Sequence, residues 1–276
     1  MKRRSGFSLI ELLIALAILG LVAGTLTRLL VSAHRSFRQQ TERADFDGLL
    51  RQAAALFHAE FRGLDSGDST GSDFESIGPQ SIGYKPVRTF RFLCRRPDTL
   101  DATLTAWAPY FGVRDLRPDL DSVLVLSAGY SEEFWESADL LAVEPASCPG
   151  GFPGLLARVA GISASRLAAI PEGAPLLGRE SVQIQSYRDG RGEWWIGMRR
   201  YQKLAGRWPA IQPVLGPLTP GGFQVSYHDE SGSLVTNHTD VAGIRVRISL
   251  RNADPFAVWK DRESTIEAAL RGRGGG

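Results

Sequence analysis

The chain has 276 residues, 43% of them hydrophobic, 9% aromatic and 22% charged. This composition excludes both a bare interaction peptide and a disordered polyelectrolyte, and the length fits one large domain or a domain with an appendage. With 32 basic and 30 acidic side chains the net charge is +2, too weak a field to indicate a nucleic-acid binder by itself.

The charges are unevenly placed. Lys2, Arg3 and Arg4 fall within the first six residues, and Phe7 to Thr27 then runs 21 residues with Glu11 as its one charge. About 20 apolar residues cross a ~30 Å hydrocarbon core, so a membrane span over about 7–30 is predicted. The positive-inside rule keeps the three cations cytoplasmic and sends the rest of the chain to the other face. The basic excess belongs to this leader, and the chain without it is nearly neutral.

Helical spacing continues past the span. Leu26, Leu29, Leu30, Ala33, Phe37, Ala44, Leu49, Leu50, Ala53, Leu56, Phe57 and Phe61 recur mostly at three and four, with Arg35, Arg38, Arg43, Asp47 and Glu60 between them. No proline precedes Pro79, and Gly63 is a plausible stop. One helix over 7–62 is predicted, apolar all round at first and amphipathic later.

Residues 63–83 are rich in Gly, Ser and Asp and read as a flexible loop. A strand-rich head over 84–269 follows. Alternation marks Val87 to Cys94, Ser122 to Ser127, Ser181 to Arg188, Glu193 to Tyr201, Phe223 to His228 and Gly243 to Arg251. Asp189-Gly190-Arg191-Gly192 is a hairpin signal. Leu155 to Ile170 has a helical pattern ended by Pro171, Pro209 to Gly222 with four prolines reads as a loop, and 270–276 as a disordered tail. Composition marks no second domain boundary. Cys94 and Cys148, 54 residues apart in sequence, are either a disulfide, which an exported head permits, or two buried thiols.

The N-terminal run Lys2-Arg3-Arg4-Ser5-Gly6-Phe7-Ser8-Leu9-Ile10-Glu11-Leu12-Leu13 resembles the class III signal of type IV pilins and of the pseudopilins of type II secretion. The resemblance implies cleavage between Gly6 and Phe7 by a prepilin peptidase, N-methylation of Phe7, and a role in assembly for Glu11, the fifth residue after the cut. An acid inside a membrane segment costs ~2.5–3.5 kcal/mol on insertion scales and so asks for a partner; the new Phe7 amine of a neighbouring subunit is the inferred one. Gly20 and Gly24 form a small-x-x-x-small face for close helix approach, or are two tolerated glycines. The alternative is an ordinary secretory signal ending at Val22-Ala23-Gly24, against which Glu11 and the amphipathic continuation both count.

The family plan implies an α+β, pilin-like fold in which the long helix packs on an antiparallel β-sheet head. The closing segments Phe223 to Gly232 and Val241 to Leu250 look like those of minor pilins and J-type pseudopilins. A long helix without proline and a large head differ from major pilus subunits, so a minor subunit at the tip is the expectation for pseudopilus assembly and protein export, with a minor type IV pilin in pilus assembly, adhesion or DNA uptake as the alternative. Implied partners are the prepilin peptidase, other pilins or pseudopilins, the inner-membrane assembly platform and the lipid bilayer. The implied location is the bacterial inner membrane, single-pass, with the head periplasmic.

Other chemistry is poorly supported. Gly161-Ile162-Ser163-Ala164-Ser165 lacks the last glycine of a nucleophile elbow, no phosphate-binding glycine loop occurs, and His34, His58, His228 and His238 have no metal-ligand spacing, so no enzyme and no cofactor is expected. Asp65, Asp68, Asp73 and Glu75 could offer oxygens to calcium but fit no calcium-loop spacing. His228, Asp229, Glu230, His238 and Asp240 read as a solvated turn. Arg245, Arg247 and Arg251, with Arg91, Arg95 and Arg96, could meet nucleic acid, yet acids are equally abundant and nucleic acid is not an expected partner. Trp194, Trp195 and Trp208 are read as packing residues, with subunit contacts as the other use.

Overall fold

The computed structural model describes residues 9–65, 72–128, 133–252 and 261–270. One helix, α1 (Leu9–Phe61), has 53 residues and is on the order of 80 Å long. It ends where Gly63 adopts φ 100°, a left-handed conformation that glycine reaches without a Cβ penalty.

The apolar run that the sequence presents as one stripe is two. Leu26, Leu29, Leu30, Ala33, Phe37 and Ala44 share one face, but the step of five from Ala44 to Leu49 breaks the period. The buried residues Phe46, Ala53, Phe57 and Phe61 then lie about half a turn round, on the opposite face. Only that second face packs on the head.

The chain next forms β1 (Phe74–Gly78) and β2 (Ser81–Tyr84), an antiparallel hairpin in part of the segment expected to be a loop over 63–83. Short length and glycines conceal it in the sequence. Burial of Phe74, Ile82 and Tyr84 against α1 holds it in place. Asp73 N–H donates to Asp65 O at 2.9 Å and Asp65 N–H to the Asp73 carboxylate at 2.9 Å, which ties the end of the helix to the start of the hairpin.

After β2 the chain builds β3 (Val87–Phe92), β4 (Thr103–Trp107), β5 (Phe111–Gly112), β6 (Asp121–Ala128), β7 (Glu133–Ser147), β8 (Pro153–Ala160), the short helix α2 (Ala164–Ala168) and β9 (Pro175–Glu180). It returns as β10 (Val182–Arg188), β11 (Trp194–Arg200), β12 (Gln212–His228), β13 (Gly243–Arg251) and β14 (Asp261–Ala269). The head therefore holds two antiparallel sheets, ordered β1-β2-β10-β11-β12-β13-β14 and β4-β8-β7-β6-β9-β3-β5. Because Tyr84 of β2 pairs directly with Val182 of β10, the whole second sheet is inserted between two neighbouring strands of the first.

The first sheet lays one face on α1. Ile244, Val246, Ile248 and Leu250 of β13 point into this core and Arg245, Arg247 and Arg251 away from it, as the alternation predicts. Phe57 stacks on Phe223 with centroids 6.1 Å apart, and Phe61 meets Tyr84 edge-on at 5.5 Å. The Asp189–Gly192 turn joins β10 to β11, with Gly192 N–H donating to Asp189 O at 3.0 Å.

The second sheet does not lie on α1: it closes on itself, with Leu167 of α2 buried in its core. Just past β3, Leu93 bridges Ala106 of β4 and Cys94 N–H donates to Thr105 O at 2.9 Å, which makes a barrel around Leu93, Leu104, Val123, Val125, Ala157 and Leu176. Cys94 and Cys148 are joined by a disulfide beside this closure.

Three further expectations change. Leu155–Ile170 is not one helix: Leu155, Ala157 and Val159 repeat every second residue and enter the barrel core as β8, and only α2 is helical. Pro209–Gly222 is not all loop, since β12 runs through Pro213, Pro217 and Pro220. The register with β13 breaks between Leu218 and Phe223, and irregular pairing tolerates residues without an N–H. The tail expected over 270–276 begins with an ordered residue: Leu270 is buried and its N–H donates to Ala242 O at 3.0 Å, while 271–276 lie outside the described residues.

Candidate functional site: the N-terminal helix and its junction with the head

Gly6 and Phe7 lie outside the described residues. Glu11 lies in the first turn of α1. Leu9 to Val31 of this helix are exposed on every side, and α1 contains a window long and apolar enough to cross a membrane, none of it buried. So large a continuous apolar surface requires lipid or other helices around it. The two hydroxyls near its end fold back on their own helix, Thr25 Oγ1 donating to Val22 O and Thr27 Oγ1 to Ala23 O, each at 2.8 Å. They therefore bring no unmatched donor into an apolar surrounding. A Cβ at Gly20 or Gly24 would meet nothing within 4 Å, so the backbone there is open to a neighbouring helix.

The other end of α1 enters the seam between the two sheets. Glu60 accepts hydrogen bonds from the Tyr84 hydroxyl at 2.8 Å and from Arg88 Nη2 at 2.7 Å. Arg88 also donates through Nε to Glu180 at 2.7 Å, and the second Glu180 oxygen accepts from Arg114 at 2.7 Å. Arg114 holds both oxygens of Asp121 at 2.5 and 2.7 Å, and Arg200 of β11 reaches Glu180 at 3.1 Å. Three carboxylates thus face three guanidiniums across α1, both sheets and the segment between β5 and β6 that carries Arg114.

Glu60, Arg88, Asp121 and Glu180 are buried, where an unpaired charge would be costly. Burial alone would raise the Glu180 carboxyl, but Arg114 and Arg88 outweigh it and hold it below the usual carboxylate range. Burial, then the Glu60 carboxylate, pushes the Tyr84 hydroxyl well above its ordinary value and keeps it a donor. None of these residues was singled out by sequence reasoning. The available signal was Glu60 itself, an acid on the same helix face as Phe57 and Phe61.

The alternative candidates have other partners. Arg245 pairs with Glu267 at 2.7 Å and Arg247 with Glu263 at 2.5 Å across β13 and β14, so this face is charge-matched rather than basic. Arg91 is buried and pairs with Asp115 at 2.5 Å, and Arg95 donates to Ser147 O at 2.5 Å. Of the acids considered for calcium, Asp73 takes Arg179 at 2.5 Å and Glu75 takes Lys85 at 3.0 Å, while Asp68 lies outside the described residues. Among the described residues no three His, Cys, Asp or Glu side chains gather as a metal site. The Asp229 carboxylate accepts from Ser231 N–H and Ser233 N–H at 2.9 Å, closing a turn on itself. Trp194 packs against the first core, and Trp208 meets Tyr201 and lies under Arg199.

Residues 1–27 match the family model described as the prokaryotic N-terminal methylation motif. No curated protein and no solved structure matches the chain. The motif implies processing by prepilin peptidase and assembly with other pilins, and its position coincides with the start of the exposed apolar helix. The chain carries a prepilin-type methylation motif that runs into a membrane-spanning type of helix, which supports a pilin or pseudopilin precursor anchored in a membrane.

Proposed function

We propose that this chain is a minor pseudopilin, cut between Gly6 and Phe7, N-methylated on Phe7 and assembled through α1 at the tip of a type II secretion pseudopilus. Its head then lies in the periplasm and its action is mechanical rather than catalytic. The Phe7 amine and Glu11 set the register between neighbouring helices, and the exposed apolar surface of α1 supplies the association energy.

The observation that carries the tip position is the inserted barrel. Arg88 at its base meets Glu60 on the last turn of α1, so the barrel lies at the end of the helix away from the apolar half. In a helical stack of subunits that is where the next head up would sit, and a chain with a barrel there suits the position with nothing above it. The preference for a secretion pseudopilus over a pilus rests on the closing strands, β12 to β13, and their likeness to J-type pseudopilins.

Two experiments test the reading. Intact-mass analysis of the membrane form, coexpressed with prepilin peptidase, should show loss of residues 1–6 and one added methyl; a chain still carrying Met1 would overturn it. Deleting the gene in its host should stop export of folded proteins across the outer membrane. Normal export with loss of surface pili would assign the chain to a type IV pilus instead.

A further inference from the structure

The outer wall of the barrel carries an apolar cleft where the last turn of α1 runs past it. Its volume is about 460 Å³, and Val87, Phe90, Phe92, Trp135, Pro175 and Leu177 form its floor. The pleat puts them there. Leu176 belongs to the barrel core and Arg91 lies directly opposite it, so Phe90 and Leu177, the next pair, turn outward. Phe90 meets Phe92 at 4.7 Å and Phe111 of β5 at 6.3 Å between ring centroids. Phe111 is 63% exposed, and Val87 and Phe92 are each 42% exposed. Three touching phenylalanine rings on an outer surface make a patch of the kind that a partner covers.

Ala59 and, just past the helix end, Arg62 form the rim on the other side. The Arg62 side chain is exposed, and no acid among the described residues pairs with it. Glu60 also borders the cleft but is matched by Arg88 at 2.7 Å. The cleft thus combines an aromatic floor with one uncompensated positive charge at its edge.

We infer that this cleft holds, in the assembled filament, a segment from the head of a neighbouring subunit of different sequence, whose large apolar side chains fill the floor and whose carboxylate meets Arg62. The inference rests on the assembly reading above and adds the chemistry of a contact between heads. A low-copy position makes the neighbour a different chain.

Other occupants do not fit. The exposed apolar half of α1 ends at Val31, and Arg62 lies 31 residues beyond it, on the order of 46 Å, which puts lipid out of reach. This chain's own remaining segments do not supply the occupant. Residues 66–71 carry no large apolar side chain, and 271–276 hold only arginine and glycine. Residues 129–132 have four positions in which to return from Ala128 to its partner Glu133. Residues 253–260 leave and re-enter the sheet beside Arg262, whose partner Asp47 is about 22 Å below Arg62 along the helix, and eight residues folded back on themselves reach about 13 Å. A passing exported protein is a poor match, because transient interfaces are no more apolar than ordinary surface whereas lasting ones resemble a core cut open.

The test uses the full chain, coexpressed with its partner subunits and prepilin peptidase. A benzophenone amino acid in place of Phe92 should crosslink, in assembled filaments, to the head of another subunit, at a peptide with apolar residues beside an Asp or Glu. The same group in place of Leu204, which is 76% exposed and does not line the cleft, should not capture that peptide. Arg62→Glu and Phe92→Ser should each still insert, be cleaved and form the disulfide, since Arg62 has no ion pair to lose and Phe92 is partly outside the fold. Incorporation should fall on the order of tenfold for each, the loss expected when an aromatic anchor is removed or like charges are opposed. Changing the carboxylate of the captured peptide to arginine should restore Arg62→Glu.

Crosslinks confined to lipid, to exported protein or to a second copy of this chain would overturn the inference, as would full incorporation of either variant. Glu11→Ala separates the two levels. If Glu11→Ala blocks incorporation while a cleft variant enters normally, the assembly reading stands and the cleft partner falls. If the unaltered chain enters no filament, both fall.

Discussion

Glu60 and Arg88 meet at 2.7 Å where the long helix ends and the inserted barrel begins. Both are buried, and Glu60 also holds the Tyr84 hydroxyl while Arg88 also holds Glu180. Removing the cation leaves two buried carboxylates short of a partner. Arg88→Ala should therefore destabilise the protein by about 3–5 kcal/mol, the range for breaking a buried pair from one side. Denaturant unfolding of the full chain in detergent measures it. A loss below about 1 kcal/mol would mean that the seam is hydrated rather than closed.

The same network sets the response to pH. Glu180 is held below its ordinary value of 4.5, so its contribution is fully present above pH 4.5 and is lost as pH falls through the folded value. Tyr84 is raised above 10.0, so its contribution is present below pH 10.0 and is lost as pH climbs toward the folded value. Glu180→Gln should flatten the acid limb of the stability curve and Tyr84→Phe the alkaline limb. Thermal melts across pH read both, and an unchanged acid limb in Glu180→Gln would remove this carboxyl from the account.

How much of this was legible in the sequence depended on range. β13 could be read directly, because Ile244 to Leu250 alternate with Arg245 to Arg251 and one wet face leaves no other reading. The Asp189–Gly192 hairpin was equally plain, since the turn chemistry is local. The barrel was not, because its closure is a pairing of Leu93 with Ala106, and nothing within either strand names the other. The same holds for the seam, where Glu60, Arg88 and Glu180 come from three distant segments. In α1 the period was visible but its break was not: the step of five from Ala44 to Leu49 turns one apparent stripe into two opposed faces.

The disulfide joins Cys94 after β3 to Cys148 between β7 and β8, both in the barrel. A closed loop of that size is worth about 4 kcal/mol by the chain-entropy estimate. Cys94→Ala with Cys148→Ala should lose that stability from the barrel first. Hydrogen exchange should show β3, β4 and β8 losing protection while β11 to β13 keep theirs, since the first sheet has its own core on α1. Equal loss in both sheets would show that they unfold as one unit.

Phe57 tests whether α1 is bolted to the head or merely rests on it. Its side chain is fully buried, 5.5 Å from Phe61 and 6.1 Å from Phe223 by ring centroids. Truncation leaves a cavity beside Phe223 of β12 that a continuous helix cannot close by shifting, because Phe61 one turn on is itself packed against Tyr84. Phe57→Ala should therefore cost about 3–5 kcal/mol, the large-aromatic range. The loss should appear in the first sheet and spare the barrel, whose core includes no residue of α1. If the helix must transmit load from the membrane to the head, the variant should insert and be processed normally yet shed its head under mild proteolysis. Limited trypsin digestion of the membrane form, with cleavage expected between α1 and β1, gives the readout. Resistance equal to the unaltered chain would show that the other α1 contacts suffice.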